Sequence, residues 1–461
     1  MNPPYASARA LGRLILRIYF KRVEVLGLEH LPPGPVLLAA NHPQSITDAL
    51  VLGVALPRPL HFLAHRGLFR NRIQGFLLHR FGVLPVHRPT DEGGAAGRNQ
   101  EVFASCRRAL EAGEVITIFP EGVSREERRV QPLRTGAARI VLESEALHRF
   151  DLGVALVPVG ISFESRRRFR TRVLIRLGRP LVVHDRAGEY AGDPRRAVIR
   201  LTGELQQALG GLVVHLEHDE LGGVVTDLES TYREELLARQ TERSGHEDEY
   251  SPRLELSREF VRAVEYYAER DPALVRRLSF RLREYRRKRD RLHLQERFLA
   301  GARRPSRARD LVRPAVPGIL GLPLALYGAL FNAIPYKLTG ILAKRRATDG
   351  TKLHWHQLTL GAGLYLLYYP PLLWGARQFM SEGATLVFAL SLIPTGFLAR
   401  ASGRAFARNR DALRFAGMAA GKRYQLDRLR ALRRGLITEL DLVREDYLRH
   451  RDADVPSGGK I

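Results

Sequence analysis

Seven short apolar runs alternate with helix-like stretches in the first 185 residues, and this alternation constrains the fold more than any other feature of the chain. The runs are residues 23–28, 36–40, 60–64, 83–86, 115–119, 154–159 and 173–177. Short apolar runs separated by longer helical stretches are typical of a sheet covered by helices on both faces. The sequence therefore predicts an α/β domain, with a central sheet and helices on both faces, over residues 23–185.

The segment before this domain, residues 1–22, predicts an amphipathic helix. Its apolar stretch, residues 11–20, is interrupted by basic side chains at helical spacing, a pattern that does not fit a signal peptide. The basic residues in and around it are Arg9, Arg13, Arg17, Lys21 and Arg22. Two interpretations stay open: a helix that lies at a membrane surface, and an ordinary surface helix packed on the domain.

After residue 185 the strand pattern stops and charged helical stretches follow. Residues 186–310 form a charged helical region, with helices predicted at 193–209, 227–240 and 258–299. Their arginine-rich faces fit solvated helix surfaces and also fit contacts with anionic lipid headgroups. Residues 401–461 predict a basic helical tail.

Residues 311–400 predict a membrane region, because long stretches of this segment are almost uncharged. About twenty apolar helical residues cover the hydrocarbon core of a bilayer, so spans at 358–376 and 384–399 predict a C-terminal membrane hairpin. Residues 314–343 contain four prolines and therefore predict a segment that is interfacial or re-entrant. Buried helices of a soluble protein are the alternative interpretation.

Basic residues flank both ends of the predicted hairpin, whereas its connector carries one arginine and one glutamate. The flanking residues are Lys344, Arg345, Arg346 and Lys352 before it, and Arg400, Arg404, Arg408 and Arg410 after it. Lysine and arginine mark the cytoplasmic ends of membrane helices. The predicted localisation is therefore integral to the cell membrane, with the catalytic domain in the cytoplasm.

The formal charge of +25, from 74 Lys+Arg against 49 Asp+Glu, favours partners that carry phosphate. Nucleic acid, anionic membrane lipids and a small phosphorylated substrate all satisfy this condition. The single cysteine, Cys106, excludes an intrachain disulfide and fits a reducing compartment. Without a Cys-x-x-Cys pair or a Cys/His cluster, neither a zinc finger nor another metal site is predicted.

Four polar stretches each lie at the end of a predicted strand or in the loop after it. They are residues 41–48 (Asn-His-Pro-Gln-Ser-Ile-Thr-Asp), 84–89 (Leu-Pro-Val-His-Arg-Pro), 119–124 (Phe-Pro-Glu-Gly-Val-Ser) and 157–160 (Val-Pro-Val-Gly). Ligands of open α/β sheets bind at the carboxyl ends of the strands, so these stretches are expected to be neighbours. Singly, each is an ordinary cap, turn or strand end; in this order they predict a site.

A histidine held by an aspartate acts as a general base, which is the chemistry that His42 and Asp48 predict. The chain has no Gly-x-Ser-x-Gly elbow, so a substrate hydroxyl, rather than a protein nucleophile, is expected to give up the proton. Arg88 offers two donors to a phosphate. Gly122 lets backbone amides approach an anion, and Glu121 is assigned either to a polyol hydroxyl or to neighbouring arginines.

Together, the four stretches resemble in order the motifs of the glycerolipid acyltransferase superfamily, which includes lysophosphatidate and glycerol-3-phosphate acyltransferases. Residues 134–136 (Arg-Thr-Gly), residues 169–172 and the C-terminal membrane region look more like the fungal-type glycerol-3-phosphate/dihydroxyacetone-phosphate acyltransferases. The resemblance implies that His42 is the base and Asp48 its partner. It further implies that Arg88 contacts phosphate, that Glu121 and Gly122 belong to the acceptor site, and that Pro158 lies in the acyl-donor region.

One feature departs from the superfamily pattern. Most members have four residues between the histidine and the aspartate, whereas this chain has five, residues 43–47. On a regular helix the extra residue rotates Asp48 by about 100°. Either the turn at Pro43 absorbs it or Asp48 is not the partner; no other acid lies nearby in sequence, so Asp48 is kept.

The predicted function is acyl transfer by a membrane-bound enzyme, from acyl-CoA or acyl carrier protein to a hydroxyl of glycerol-3-phosphate or a related acceptor. Backbone amides near Gly122 or Asn41 are the candidates for stabilising the oxyanion. No cofactor is predicted beyond the acyl thioester co-substrate. A lysophosphatidate acyltransferase is the alternative. Lower alternatives are a lipid-binding scaffold and a basic nucleic-acid-binding protein, and the latter is disfavoured because aromatic residues are not interleaved with the basic ones.

Overall fold

The computed structural model describes residues 3–65, 83–86, 95–123, 129–165, 169–244, 250–292, 322–347, 352–421 and 423–453, together with residues 294, 296 and 299. The chain divides into two compact units. The first contains Met1–His215 and Ala343–Leu358, and the second contains Leu216–Leu342 and Thr359–Ile461.

A mixed sheet forms the centre of the first unit, and it has seven strands in the described part of the chain. In chain order they are β1 (Arg22–Leu26), β2 (Val36–Ala40), β3 (Leu60–His65), β4 (Leu84–Val86), β5 (Val115–Ile118), β6 (Ala155–Phe163) and β7 (Arg172–Leu177). Their spatial order is β1-β7-β6-β2-β5-β3-β4. Strands β2 to β6 are parallel; β7 is antiparallel to β6, and β1 is parallel to β7. The seven predicted strands are confirmed.

Helices cover both faces of this sheet, as predicted. They are α1 (Pro3–Tyr19), α2 (Ile46–Ala55), α3 (Ala95–Glu111), α4 (Gly136–Leu147), α5 (Ala187–Gly192) and α6 (Pro194–Leu212). The central strand β2 shows how the faces divide, since its side chains alternate between two cores. Val36, Leu38 and Ala40 pack in one core with α1 and α2. Leu37 and Ala39 pack in the other with α3, α4 and α6.

The chain reverses its winding direction at β2, and this places a crevice at the ends of the strands. After β2 the chain enters α2 on one face, whereas after the neighbouring β5 it enters α4 on the other face. Adjacent strands with connections to opposite faces open a cleft at their carboxyl ends, where α/β proteins bind ligands. Residues 41–48 follow β2 and residues 119–123 follow β5.

The second unit is helical throughout its described part, which confirms the predicted helical region. Its helices are α7 (Gly222–Thr231), α8 (Arg233–Ser244), α9 (Tyr250–Arg270), α10 (Pro272–Arg291), α11 (Leu322–Arg346), α12 (Leu353–Arg377), α13 (Glu382–Gly421) and α14 (Arg423–Ala453); the residues of α11 and α12 between 343 and 358 are counted with the first unit. Helices α7, α9, α10 and α14 enclose apolar side chains such as Leu228, Phe260 and Leu278.

Helices α11, α12 and α13 contain the predicted membrane segments. Residues 322–343 of the segment expected to be interfacial or re-entrant form part of α11, which continues through Pro335. Pro314 and Pro317 lie outside the described residues. In the described part of the chain one helix, Glu382–Ala407 within α13, is long and apolar enough to cross a membrane.

Candidate active site

Asn41 fixes the point at which the chain leaves β2. Its side-chain oxygen accepts the Ile161 N–H at 2.6 Å, and its amide nitrogen donates to the Ile161 carbonyl at 3.1 Å. Its backbone N–H donates to the Val159 carbonyl at 3.3 Å. The side chain therefore imitates one more residue of the sheet ladder on β6, and the next residue, His42, starts from a fixed position.

The structure brings His42 and Asp48 together. His42 Nδ1 lies 3.0 Å from Asp48 Oδ2, and the Asp48 side chain is fully buried while 19% of the His42 side chain is exposed. The Gln44 backbone N–H donates to the same carboxylate oxygen at 2.7 Å. Because the carboxylate holds Nδ1, the imidazole presents Nε2 as the nitrogen for a reacting group.

A turn at residues 43–45 absorbs the extra residue between the histidine and the aspartate. Ser45 has φ 53° and ψ −130°, and α2 begins only at the next residue, Ile46. The Thr47 N–H donates to the Gln44 carbonyl and the Asp48 N–H to the Ser45 carbonyl. Asp48 thus lies in the first helical turn, and the 100° rotation expected for a regular helix does not arise. A positive φ at a non-glycine residue costs about 1 kcal/mol or more.

Glu121 connects the His42 loop to a second loop. Its Oε1 accepts the His42 backbone N–H at 2.9 Å, and its Oε2 accepts the Gln131 N–H at 3.0 Å. Burial raises the pKa of this carboxyl, against the lowering effect of the two backbone donors. Both oxygens of Glu121 therefore accept hydrogen bonds from backbone amides, and its assignment to a polyol hydroxyl or to neighbouring arginines stays a prediction.

Aromatic packing holds the imidazole from another side. The Phe119 ring, at the end of β5, is stacked on the His42 ring with centroids 3.9 Å apart and planes 19° apart. Stacking and the Asp48 hydrogen bond together leave the imidazole little rotational freedom, which is the condition for an efficient base.

Among the backbone amides near Gly122 and Asn41, those of these two residues themselves are engaged in hydrogen bonds. The Gly122 N–H donates to the Phe119 carbonyl at 3.1 Å, and the Asn41 N–H donates to Val159. Gly122 has φ 68°, and a Cβ on it would lie 2.7 Å from Nε of Arg134. The side chain of Arg134, an exposed residue, therefore covers this turn and places a cation beside the Glu121–Gly122 segment.

In the sequence, Arg134 contributes only to the family resemblance, which gives it no role. Its position depends on tertiary hydrogen bonds: its N–H donates to the Pro120 carbonyl at 2.8 Å. Within the same loop the Val130 N–H donates to His215 Nδ1 at 2.9 Å, and the Leu133 N–H to Gln206 Oε1 at 3.1 Å. In the sequence, only the Arg-Thr-Gly motif at the start of α4 indicates this residue.

Gln44 and Thr47 are two further polar residues of the site that sequence reasoning passed over. Both are buried, and within the described residues neither the Gln44 amide group nor the Thr47 hydroxyl has a hydrogen-bond partner. A buried amide group without a partner costs about 1–3 kcal/mol, so a polar ligand atom at this position would be stabilised.

Of the other two predicted site residues, Pro158 and Arg88, the structure describes Pro158. Pro158 lies inside β6, opposite Ala39 of β2, and its carbonyl accepts the Gly178 N–H at 2.9 Å. It is therefore part of the sheet beneath the site. Arg88 lies outside the described residues, just after β4.

The class of this domain follows from comparison with known families. Residues 22–162 match the model of the Acyltransferase family. The first unit therefore contains an acyltransferase-family domain, and the membership predicted from the four motifs is confirmed.

Individual relatives are similar over the same part of the chain. Glycerol-3-phosphate O-acyltransferase 2 of Saccharomyces cerevisiae is 33% identical over 112 residues, 24% of this chain and 15% of that protein. The 1-acyl-sn-glycerol-3-phosphate acyltransferase of Bacillus subtilis is 30% identical over 125 residues, 27% of this chain and 58% of that protein. A chloroplastic 1-acyl-sn-glycerol-3-phosphate acyltransferase of Arabidopsis thaliana is 28% identical over 143 residues, 30% of this chain and 36% of that protein. The chain spans less than two thirds of each of these relatives.

Proposed function

We propose that this protein is a glycerolipid O-acyltransferase that moves a fatty acyl group from acyl-CoA or acyl carrier protein to a hydroxyl of glycerol-3-phosphate or a related acceptor. The contact between His42 Nδ1 and Asp48 Oδ2, 3.0 Å long, carries the proposal. The relatives support it, since their names state acylation of glycerol-3-phosphate or of its 1-acyl derivative.

In the proposed reaction, His42 Nε2 takes the proton of the acceptor hydroxyl as its oxygen attacks the thioester carbonyl. Asp48 stabilises the imidazolium that forms. When the tetrahedral intermediate collapses, the carbon–sulfur bond breaks and the imidazolium returns the proton to the leaving thiolate. No acyl-enzyme forms. Holding donor and acceptor together supplies roughly 7 kcal/mol or more of the lowered barrier.

Arg134 is the proposed contact for negative charge, because its exposed guanidinium lies against Gly122 on the turn next to the base. A guanidinium binds a phosphate through two parallel hydrogen bonds. Arg88, assigned to phosphate by the family resemblance, is a second cation for the same purpose. Gln44 is proposed to receive a hydroxyl or carbonyl of the acceptor.

Attachment to a membrane completes the proposal. The α12–α13 hairpin anchors the enzyme, the basic residues at its ends keep the catalytic domain in the cytoplasm, and anionic lipids are partners of the basic surfaces. The candidate helix Glu382–Ala407 supports this part. Membrane attachment suits the reaction, since its product is a lipid.

Membranes that contain the protein test the proposal when they receive labelled acyl-CoA with glycerol-3-phosphate, dihydroxyacetone phosphate or a lysophosphatidate in turn. We expect labelled product with at least one acceptor and a loss of about 10²- to 10⁴-fold in His42→Ala. His61→Ala is the matched control, because His61 on β3 pairs with Glu114 and is not part of the site. A loss below tenfold in His42→Ala overturns the mechanism. A preference for lysophosphatidate establishes the alternative acceptor.

A further inference from the structure

Helices α11, α12 and α13 expose their large apolar side chains. Leu330 of α11 is 69% exposed, Leu367 of α12 is 75% exposed and Leu390 of α13 is 68% exposed. Further outward apolar residues are Leu322, Leu324, Leu326, Ile334, Ile341, Leu366, Trp374, Leu386, Val387 and Ile393. Water-soluble proteins rarely expose so many large apolar side chains on neighbouring helices.

A polar residue, by contrast, lies in the interior of these helices. Asn332 of α11 is 9% exposed. Its Nδ2 donates to the Gly328 carbonyl at 2.9 Å and to the Leu392 carbonyl at 3.1 Å, and its Oδ1 accepts the Tyr369 hydroxyl at 2.8 Å. One amide group therefore ties α11 to both α12 and α13, and its hydrogen-bonding capacity is used inside the group of three helices.

Small residues allow α11 and α13 to approach closely. A Cβ on Gly328 would collide with the Thr395 carbonyl oxygen, and a Cβ on Gly396 would lie 2.9 Å from Cγ of Asn332. Apolar residues outside, small residues at the crossing and a polar residue as the link are the pattern of helices packed within lipid. A water-soluble bundle has the opposite distribution.

Helix α11 runs alongside α13 in the same direction. Near its start the Tyr327 hydroxyl lies 2.7 Å from Ser391 Oγ. Nine residues later, Tyr336 contacts the Arg400 side chain, nine residues further along α13. The two helices thus keep in step over this length.

Helix α12 runs in the opposite direction beside α11. Asn332 contacts Tyr369, and seven residues further along α11 the side chain of Thr339 meets Gly361, eight residues earlier in α12. The start of α11 is therefore level with the end of α12 and with the beginning of α13.

Charged residues mark one boundary of the apolar section. Lys337 is exposed on α11 and lies one residue after Tyr336, which contacts Arg400 on α13. From Leu322 to Lys337 the helix rises about 22 Å. The long side chain of Lys337 extends beyond this length toward the headgroup layer. A bilayer can also become thinner around a helix whose apolar length is short.

We propose that α11, α12 and α13 form one three-helix unit whose outer surface is covered by lipid hydrocarbon, with Asn332 as the link between the helices. Helix α11 then belongs to the embedded part of the protein and does not lie in the plane of the membrane interface. Its polar residues lower its average hydropathy, but Asn332 faces the other helices and Lys337 lies at the boundary. This inference extends the proposed membrane attachment and is independent of the acyl-transfer chemistry.

Nitroxide labels at single cysteines test the inference in vesicles of phosphatidylethanolamine and phosphatidylglycerol. The chain has one native cysteine, the buried Cys106, so Cys106→Ala gives a clean background whose acyltransferase activity is checked first. Labels replace Leu330, Leu367 or Leu390, and Phe280 on α10, which is 66% exposed, is the control. We expect collisions with oxygen to exceed collisions with a water-soluble nickel chelate at the three bundle positions, and the reverse at residue 280.

Each other result overturns the inference in a recognisable way. Nickel access at residue 330 alone places α11 at the surface and leaves the two-helix hairpin intact. Nickel access at all three positions refutes membrane embedding altogether, while the acyl-transfer assay still decides the enzymatic proposal. Protection from both reagents means that protein, such as a second copy of this chain, covers the surface instead of lipid.

Discussion

The crevice at the end of β2 and the interior of the α11–α13 unit each contain a buried polar side chain, and the two differ in where its hydrogen bonds lead. Asp48 is fully buried, and its carboxylate holds an imidazole that is 19% exposed. Asn332 is 9% exposed, and its hydrogen bonds go to Gly328, Leu392 and Tyr369 of its own helices. A hydrogen bond of Asp48 therefore leads to a partly exposed side chain, as the proposed reaction requires, whereas those of Asn332 lead to its own helix and to neighbouring helices.

The surroundings of the two residues are inverted as well. Around Asp48 the apolar residues point inward, into the cores on both faces of the sheet. Around Asn332 the apolar residues point outward. The presence of a buried polar side chain therefore does not indicate whether water or lipid surrounds a region. The direction in which the apolar side chains face is the better indicator.

Loss of charge at Asp48 is expected to give the largest effect. Asp48→Asn keeps the side-chain shape but no longer stabilises the imidazolium, so we expect kcat to fall about 10²-fold or more with thermal stability nearly unchanged. The counterpart Asn332→Leu is expected to leave kcat unchanged and to lower stability by about 1 kcal/mol. Steady-state kinetics and thermal unfolding of both variants measure the contrast. Equal effects of the two on kcat would remove the distinction between the regions.

The same leucine truncation is expected to have different consequences in the two regions. Leu37→Ala removes a fully buried side chain from the sheet and should cost about 2–5 kcal/mol of unfolding free energy. Leu390→Ala removes an outward side chain and should change it by about 0.5 kcal/mol or less. Unfolding followed by circular dichroism in detergent compares the two. A large loss in Leu390→Ala would mean that protein, not lipid, contacts this residue.

The smallest expected effect is the dependence of stability on pH that Glu121 contributes in the crevice. Burial raises the pKa of Glu121 above its ordinary value of 4.5. As the pH rises from there, the unfolded carboxyl loses its proton before the folded one does, so stability falls until the folded pKa is passed. Glu121→Gln should lack this part of the slope. Unfolding midpoints of both proteins across pH 4.5 to about 8 measure it, and parallel curves would show that Glu121 does not contribute.

The strands and the position of the crevice could be predicted from the sequence because both depend on local patterns. Apolar runs such as Val36–Ala40 define strands, and polar residues directly after them fall at strand ends. The His42–Asp48 contact needed only the assumption that a turn absorbs one residue. This turn depends on the positive φ of Ser45, and a serine in the sequence does not indicate a positive φ.

Contacts between distant segments could not be predicted. Glu121 bonds to His42, 79 residues away, and no spacing rule connects them. The guanidinium of Arg134 covers Gly122, and the Arg134 N–H donates to the Pro120 carbonyl; no local pattern in the sequence predicts either contact. The number of prolines did not indicate how far α11 extends: Pro323 lies in the first helical turn, where proline is tolerated, and the helix continues through Pro335.

The ladder-like pairing of Asn41 with Ile161 has a consequence for following the molecule in solution. The Ile161 N–H donates to the Asn41 side chain instead of to a neighbouring strand, and Asn41 directly precedes His42. Its hydrogen exchange is therefore expected to record whether the segment that begins at Asn41 is anchored, in the absence of any substrate. Slow exchange of this one amide would show that the candidate site is intact without any measurement of activity.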